Sequence, residues 1–86
     1  MNDMYYVIFS MKNSKIISYI SNLHPILWTD VIEDAKQFYS ITRVEEEINV
    51  PSCKEYFEKC IKNNIIDGLY TCIINNGTEI GRKKLL

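Results

Sequence analysis

Eighty-six residues with a formal charge of −1 and 47% apolar side chains amount to one domain with enough apolar material for a core. That balance excludes a disordered chain and gives no global attraction to nucleic acid. No apolar run approaches the roughly 18 residues that span a bilayer, and Met1–Ser10 lacks a basic leader region, with Asp3 where a cation would stand, so a soluble cytoplasmic protein is expected.

Met4–Met11 is a β-branched and aromatic run, and Ile16–Ile20 is a second. The polar Lys12-Asn13-Ser14-Lys15 between them predicts a hairpin with Asn13-Ser14 as its loop. That loop sets Met11 opposite Ile16, Phe9 opposite Ser18 and Val7 opposite Ile20. One face then carries Tyr5, Val7, Phe9, Met11, Ile16 and Ile20, and the other Tyr6, Ile8, Ile17 and Tyr19. Both faces are apolar, so helices, a partner or a second copy should cover each.

Pro25 makes Asn22–Pro25 a connector, and Ile26–Thr29 adds a short strand. Asp30 and Glu33 have the spacing of a capping box, predicting a helix with Val31, Ile32, Ala35, Phe38 and Tyr39 on its apolar side. Ser40 or Thr42 caps a second short helix, with Ile41, Val44 and Ile48 inward and Glu45, Glu46 and Glu47 outward. Pro51 opens the clearest helix. Ser52 and Glu55 read as its capping box, and Cys53, Tyr56, Phe57, Cys60 and Ile61 fall on one side. Asp67-Gly68 turns the chain into Leu69–Asn75, and Asn76-Gly77, the favoured type I′ pair, returns Thr78–Leu86 antiparallel. The expected fold is α+β: a mostly antiparallel sheet built from an N-terminal and a C-terminal hairpin, with two or three helices between them packed on it.

The residue types that carry chemistry are sparse. His24 is the single histidine, and no spacing joins it to Cys72 as a nucleophile–base pair. Cys53, Cys60 and Cys72 lack zinc-finger spacing, and the first two lie about 10 Å apart along a helix, too far for a disulfide. They read as reduced thiols filling a core. The carboxylates sit on helix-like stretches with no loop to converge them on a metal. Gly68, Gly77 and Gly81 cluster around the last hairpin and make no phosphate cradle. No enzyme, cofactor or metal is expected.

Charge and aromatic rings say more. Asp30, Glu33, Asp34, Glu45, Glu46 and Glu47 stand against Lys36 and Arg43 in the middle of the chain, while Arg82, Lys83 and Lys84 make its end basic. Six tyrosines and one tryptophan exceed what so small a core needs. Tyr6, Tyr19 and Trp28, with the six carboxylates, are therefore the candidate partner-binding residues, rings serving as anchors and carboxylates as steering charges. A homodimer through the tyrosine-bearing sheet face is a further expectation. The alternative is a small nucleic-acid regulator using Arg82, Lys83 and Lys84. A sponge that stacks a nucleotide-like ligand on its tyrosines is a third reading.

Tyr5-Tyr6-Val7-Ile8, then Trp28-Thr29-Asp30, then Glu33-Asp34-Ala35-Lys36-Gln37-Phe38 resemble a pattern in small phage and mobile-element proteins: a YVI strand, a WT segment and DAKxF. The resemblance covers the first half of the chain. It implies a mobile-element origin and, in the bacterial host cell, a protein that binds and inhibits a host protein such as a defence nuclease complex, as anti-CRISPR proteins do.

Overall fold

In the computed structural model, which describes residues 4–86, the chain runs through β1 (Met4–Lys12), β2 (Lys15–Leu23), β3 (Ile26–Thr29), a 3-10 turn (Ile32–Asp34), α1 (Ile41–Ile48), α2 (Pro51–Lys62), β4 (Gly68–Asn75) and β5 (Thr78–Lys84). Asp3, part of the leader argument, lies outside the described residues. The strands form one antiparallel sheet in the order β3-β2-β1-β4-β5. This is the expected α+β architecture, with the two hairpins joined side by side through β1 and β4.

Both hairpin loops follow from their residues. Asn13 and Ser14 have φ of 53° and 65°, and Asn76 and Gly77 have 50° and 82°. Two successive positive φ values match the right-handed twist of the flanking strands, which is why Asn-Gly and similar pairs recur there. The first register departs from expectation. Met11 faces Ile16 as predicted, but a bulge follows, and Phe9 pairs with Tyr19 instead of Ser18. One extra residue in a strand moves everything beyond it to the opposite face. Ile20 therefore joins Tyr6 and Ile8 on the helix side, and Tyr19 joins Phe9 on the other.

The helix expected over Val31–Tyr39 is absent apart from the single 3-10 turn. Asp30 does not cap it; the Thr29 hydroxyl accepts from the Val31 amide instead, at 3.1 Å. Beyond the turn the chain is extended. The Tyr6 and Phe38 backbones exchange hydrogen bonds at 2.6 and 2.9 Å, and the Lys36 amide donates to the Ile20 carbonyl at 2.8 Å. Lys36–Phe38 thus wedges between β1 and β2 where those strands part. Ile32 and Ala35 pack on the Val7–Phe9 face, whereas Phe38 and Ile41 pack on the Ile8 face, so the chain crosses from one side of the sheet to the other through this gap. Backbone groups in the split would otherwise be buried without partners, and satisfying them outweighs a marginal local helix preference.

Ser40 caps α1 as expected, its hydroxyl accepting from the Arg43 amide at 3.1 Å, and Val44 and Ile48 are buried. The capping box of α2 is not formed: Val50 occupies the N-cap, Pro51 the first turn, and no side chain caps. Pro51 needs little help there, since it has no amide to satisfy and its φ suits a helix start. Cys53, Phe57 and Cys60 point inward, while Tyr56, expected inward, is 41% exposed on the flank. The two helices bury Ile8, Ile20, Leu23, Phe38 and Leu69 beneath them.

The second face closes without a helix. Phe9 is fully buried, stacked on Tyr70 at 5.8 Å, flanked by Tyr19 at 6.3 Å, and covered by the Arg82 guanidinium at 5.3 Å. Ile32 and Ala35 complete the cover. Burying Val7 and Phe9 therefore requires no second copy of the chain.

Candidate partner-binding surface

The nine partner-binding candidates are spread over the whole molecule. Tyr6 lies on the helix face beside Ile41 and β5. Tyr19 lies on the opposite face, half-buried against Phe9. Asp30, Glu33 and Asp34 follow the chain into its crossing and are exposed. Glu45, Glu46 and Glu47 occupy α1, where two of the three are already engaged. Glu45 takes Lys83 at 3.1 Å; Glu47 takes His24 at 3.3 Å and Arg43 at 3.4 Å. Glu46 is exposed. Trp28 lies on β3, packed against Phe57 on the helix side.

The basic residues do not form an open patch either. Arg82 folds back onto Glu79, which lifts its pKa through that hydrogen bond, and also donates to the Met11 sulfur at 3.6 Å. Lys83 reaches Glu45. Arg82 and Lys84 fall on one face of β5 and Lys83 on the other, so three sequential cations do not act as one.

His24 and Cys72 are likewise separate. His24 closes the β2–β3 turn against Glu47, whereas Cys72 lies on the face opposite the helices, in the Phe9 cluster. Burial pushes the Cys72 thiol up to about 11, with Glu79 adding to the shift and Arg82 opposing it. Burial also raises the Cys53 thiol, whose Sγ lies 3.8 Å from the Leu23 carbonyl. Cys53, Cys60 and Cys72 are all free and buried. Burial, then Cys72 and Glu79, raises the Tyr19 hydroxyl. Thiols held protonated in this way are poor nucleophiles and ligands. Among the described residues, no helix is long and apolar enough to cross a membrane.

What the structure does gather is an apolar strip between β3 and α2. Trp28 packs edge-on against Phe57 at 5.9 Å, and Tyr56 does so at 5.4 Å. The Trp28 indole N–H donates to the Tyr56 hydroxyl at 3.3 Å, spanning the gap from sheet to helix. On one side of Tyr56 is a groove of about 390 Å³ lined by His24, Pro25, Ile26, Ser52 and Cys53. On the other is one of about 180 Å³ lined by Ile17, Trp28, Cys60, Ile65 and Ile66. Ile17, Tyr56 and Ile65 are 46%, 41% and 60% exposed. Trp28 carried a sequence signal as an aromatic ring. Ile17 and Ile65 carried none, because their exposure comes from the β2 bulge and from the loop after α2. No protein-family model matches the chain, and no curated protein or solved structure is significantly similar to it.

Proposed function

We propose that this protein is a non-enzymatic protein-binding module that docks through the strip between β3 and α2. The observation that carries the reading is the grouping of Trp28, Tyr56, Ile17 and Ile65 around one groove, with Tyr56 also bordering the second and Ile17, Tyr56 and Ile65 left exposed. Contiguous exposed apolar surface with aromatic anchors favours protein interfaces. The form of the function is the one the phage-like resemblance implies: inhibition of a host protein, such as a nucleic-acid-processing defence complex. Glu46 supplies an exposed negative charge on α1 for steering toward a basic partner. The nucleic-acid and nucleotide-sponge readings have less support, since Arg82 and Lys83 are paired within the chain and Tyr19 and Tyr70 are spent on covering Phe9.

The test is affinity capture of host proteins by the tagged chain, wild type against Tyr56→Glu and Glu46→Lys. A partner held by the wild type and lost by Tyr56→Glu is expected, with Glu46→Lys slowing association. A partner retained equally by all three removes this surface from the binding site. Turnover of a substrate by the purified chain would remove the non-enzymatic reading.

A further inference from the structure

The tip of the last hairpin carries a chemistry that the apolar strip does not use. Asn76 is the chain's single asparagine followed by glycine. Its side-chain carbonyl carbon is one five-membered ring away from the Gly77 backbone nitrogen, and glycine has no Cβ to obstruct closure of that ring. Nothing lies within 4 Å of where a Cβ on Gly77 would stand, so the ring has room to form. Asn75 and Thr78 make the last ladder pair, which leaves the Gly77 amide outside the ladder. Asn22 and Asn49, by contrast, donate their side-chain amides to the Pro25 and Glu45 carbonyls, at 2.9 and 2.8 Å, and bulky Leu23 and Val50 follow them.

Closure requires the turn to open briefly, and the fold makes that opening easy. β5 is an edge strand exposed along its whole length, and the Gly81 bulge divides it. Beyond the bulge the chain is anchored: Lys83 reaches Glu45, and the Leu85 and Leu86 amides donate to the Leu69 carbonyl at 2.7 and 3.2 Å. On the tip side, Thr78–Ile80 bury no side chain, and Glu79 is tied back by Arg82. A segment with exposed hydrogen bonds and few buried contacts opens at low free energy.

We propose that Asn76 is a spontaneous modification site, where the chain converts to isoaspartate and aspartate and the tip of its last hairpin loosens. The Gly77 nitrogen gives up its proton to base and attacks Cγ of Asn76. The Cγ–Nδ2 bond breaks, and the departing nitrogen takes a proton from water and leaves as ammonia, closing a succinimide. Water then opens the ring. Breaking the bond between the main-chain carbonyl carbon and nitrogen gives isoaspartate; breaking the new bond to Cγ gives aspartate. No oxidant or reductant takes part. Either product adds a negative charge. Isoaspartate also routes the main chain through the side-chain methylene, so the two-residue loop loses the geometry its strands require.

The test ages the full-length protein in mildly alkaline buffer, folded and in urea, and maps its peptides by mass spectrometry. In the folded protein Asn76 should convert at least about tenfold faster than Asn13, Asn22 or Asn49, with isoaspartate among the products. Because the tip opens readily, the folded rate should stay within about tenfold of the rate in urea. Gly77→Ala should slow conversion by roughly tenfold, a ratio also read in urea, where it holds whether or not the variant folds. Hydrogen exchange at the Thr78 and Glu79 amides should be faster in aged protein than in fresh. A folded rate further below the rate in urea would mean that the turn protects Asn76, and would overturn the inference. Equal rates at the other asparagines, aspartate without isoaspartate, an undiminished rate in Gly77→Ala, or unchanged exchange at the tip after conversion would overturn it as well.

Discussion

The Lys83 ammonium lies 3.1 Å from the Glu45 carboxylate, joining β5 to α1 across 38 positions of sequence. The pair brings the basic end of the chain onto its acidic middle, so the polarity evident along the sequence is partly cancelled in space. Glu46 on α1 and Asp30, Glu33 and Asp34 at the sheet crossing stay exposed.

Both members of that pair are about half exposed, which makes it weak. Lys83→Ala should lower the unfolding free energy by less than about 1 kcal/mol. The loss should vanish in about 1 M salt, where the screening length falls to roughly 3 Å. A double-mutant cycle with Glu45→Ala, read by urea unfolding, measures the coupling. A coupling that persists in high salt would mean that packing of the Lys83 stem, and not charge, joins the two elements.

Phe38 holds the chain where it passes through the sheet, and it is 3% exposed, whereas its neighbour Tyr39 is 74% exposed. Phe38→Ala should cost about 3–5 kcal/mol, enough to unfold much of a domain this size. Tyr39→Ala should stay within about 0.5 kcal/mol. Denaturant midpoints of the two variants check the contrast. Similar small losses would mean that the backbone bonds to Tyr6 and Ile20 secure the crossing without the ring.

Cys72 makes the fold sensitive to alkali. The folded chain holds the thiol proton more tightly than the unfolded chain, so the folded state binds more protons and stability falls as pH rises. The contribution is complete below about 9, the ordinary value, and is lost as the pH rises through about 11. That gap corresponds to about 2–3 kcal/mol. Unfolding measured across this range should show a steep fall in the wild type and a shallower one in Cys72→Ala. Parallel curves would assign the alkaline loss to Tyr19 and Cys53, whose protons are also held more tightly.

Gly81 sits at φ +64° in the β5 bulge with open space around it, nothing lying within 4 Å of an added Cβ. Gly81→Ala should therefore cost about 1–2 kcal/mol through the backbone alone. Gly81→Asn should cost less, because Asn tolerates this conformation better. Thermal melts of the two variants give the comparison. Equal, negligible losses would mean that the bulge can migrate along β5.

The sequence by itself determined the local structure: both two-residue loops, the strands that flank them, the short helix begun by Ser40 and the amphipathic helix begun by Pro51. Each depends on contacts within a few residues, where side-chain periodicity and turn preference act directly. The antiparallel α+β architecture was also legible, because paired hairpins around two helices leave few other ways to bury both sets of apolar positions. Of the apolar strip between β3 and α2, Trp28 alone was visible in advance as a candidate surface residue.

Tertiary structure decided the rest. Asp30–Tyr39 has the pattern of a helix, yet its backbone is recruited into the gap between β1 and β2, a demand set by residues far off in the chain. The β2 bulge at Ile17, between the Ser10–Ser18 and Met11–Ile16 pairs, exchanged Ile20 and Tyr19 between faces, reversing which of them meets the helices. Ring count could not tell that Tyr19 and Tyr70 close over Phe9 while Tyr56 stays in water. Such choices turn on backbone groups that must find partners once buried and on which side chains arrive opposite one another, and both exist only after distant segments have met.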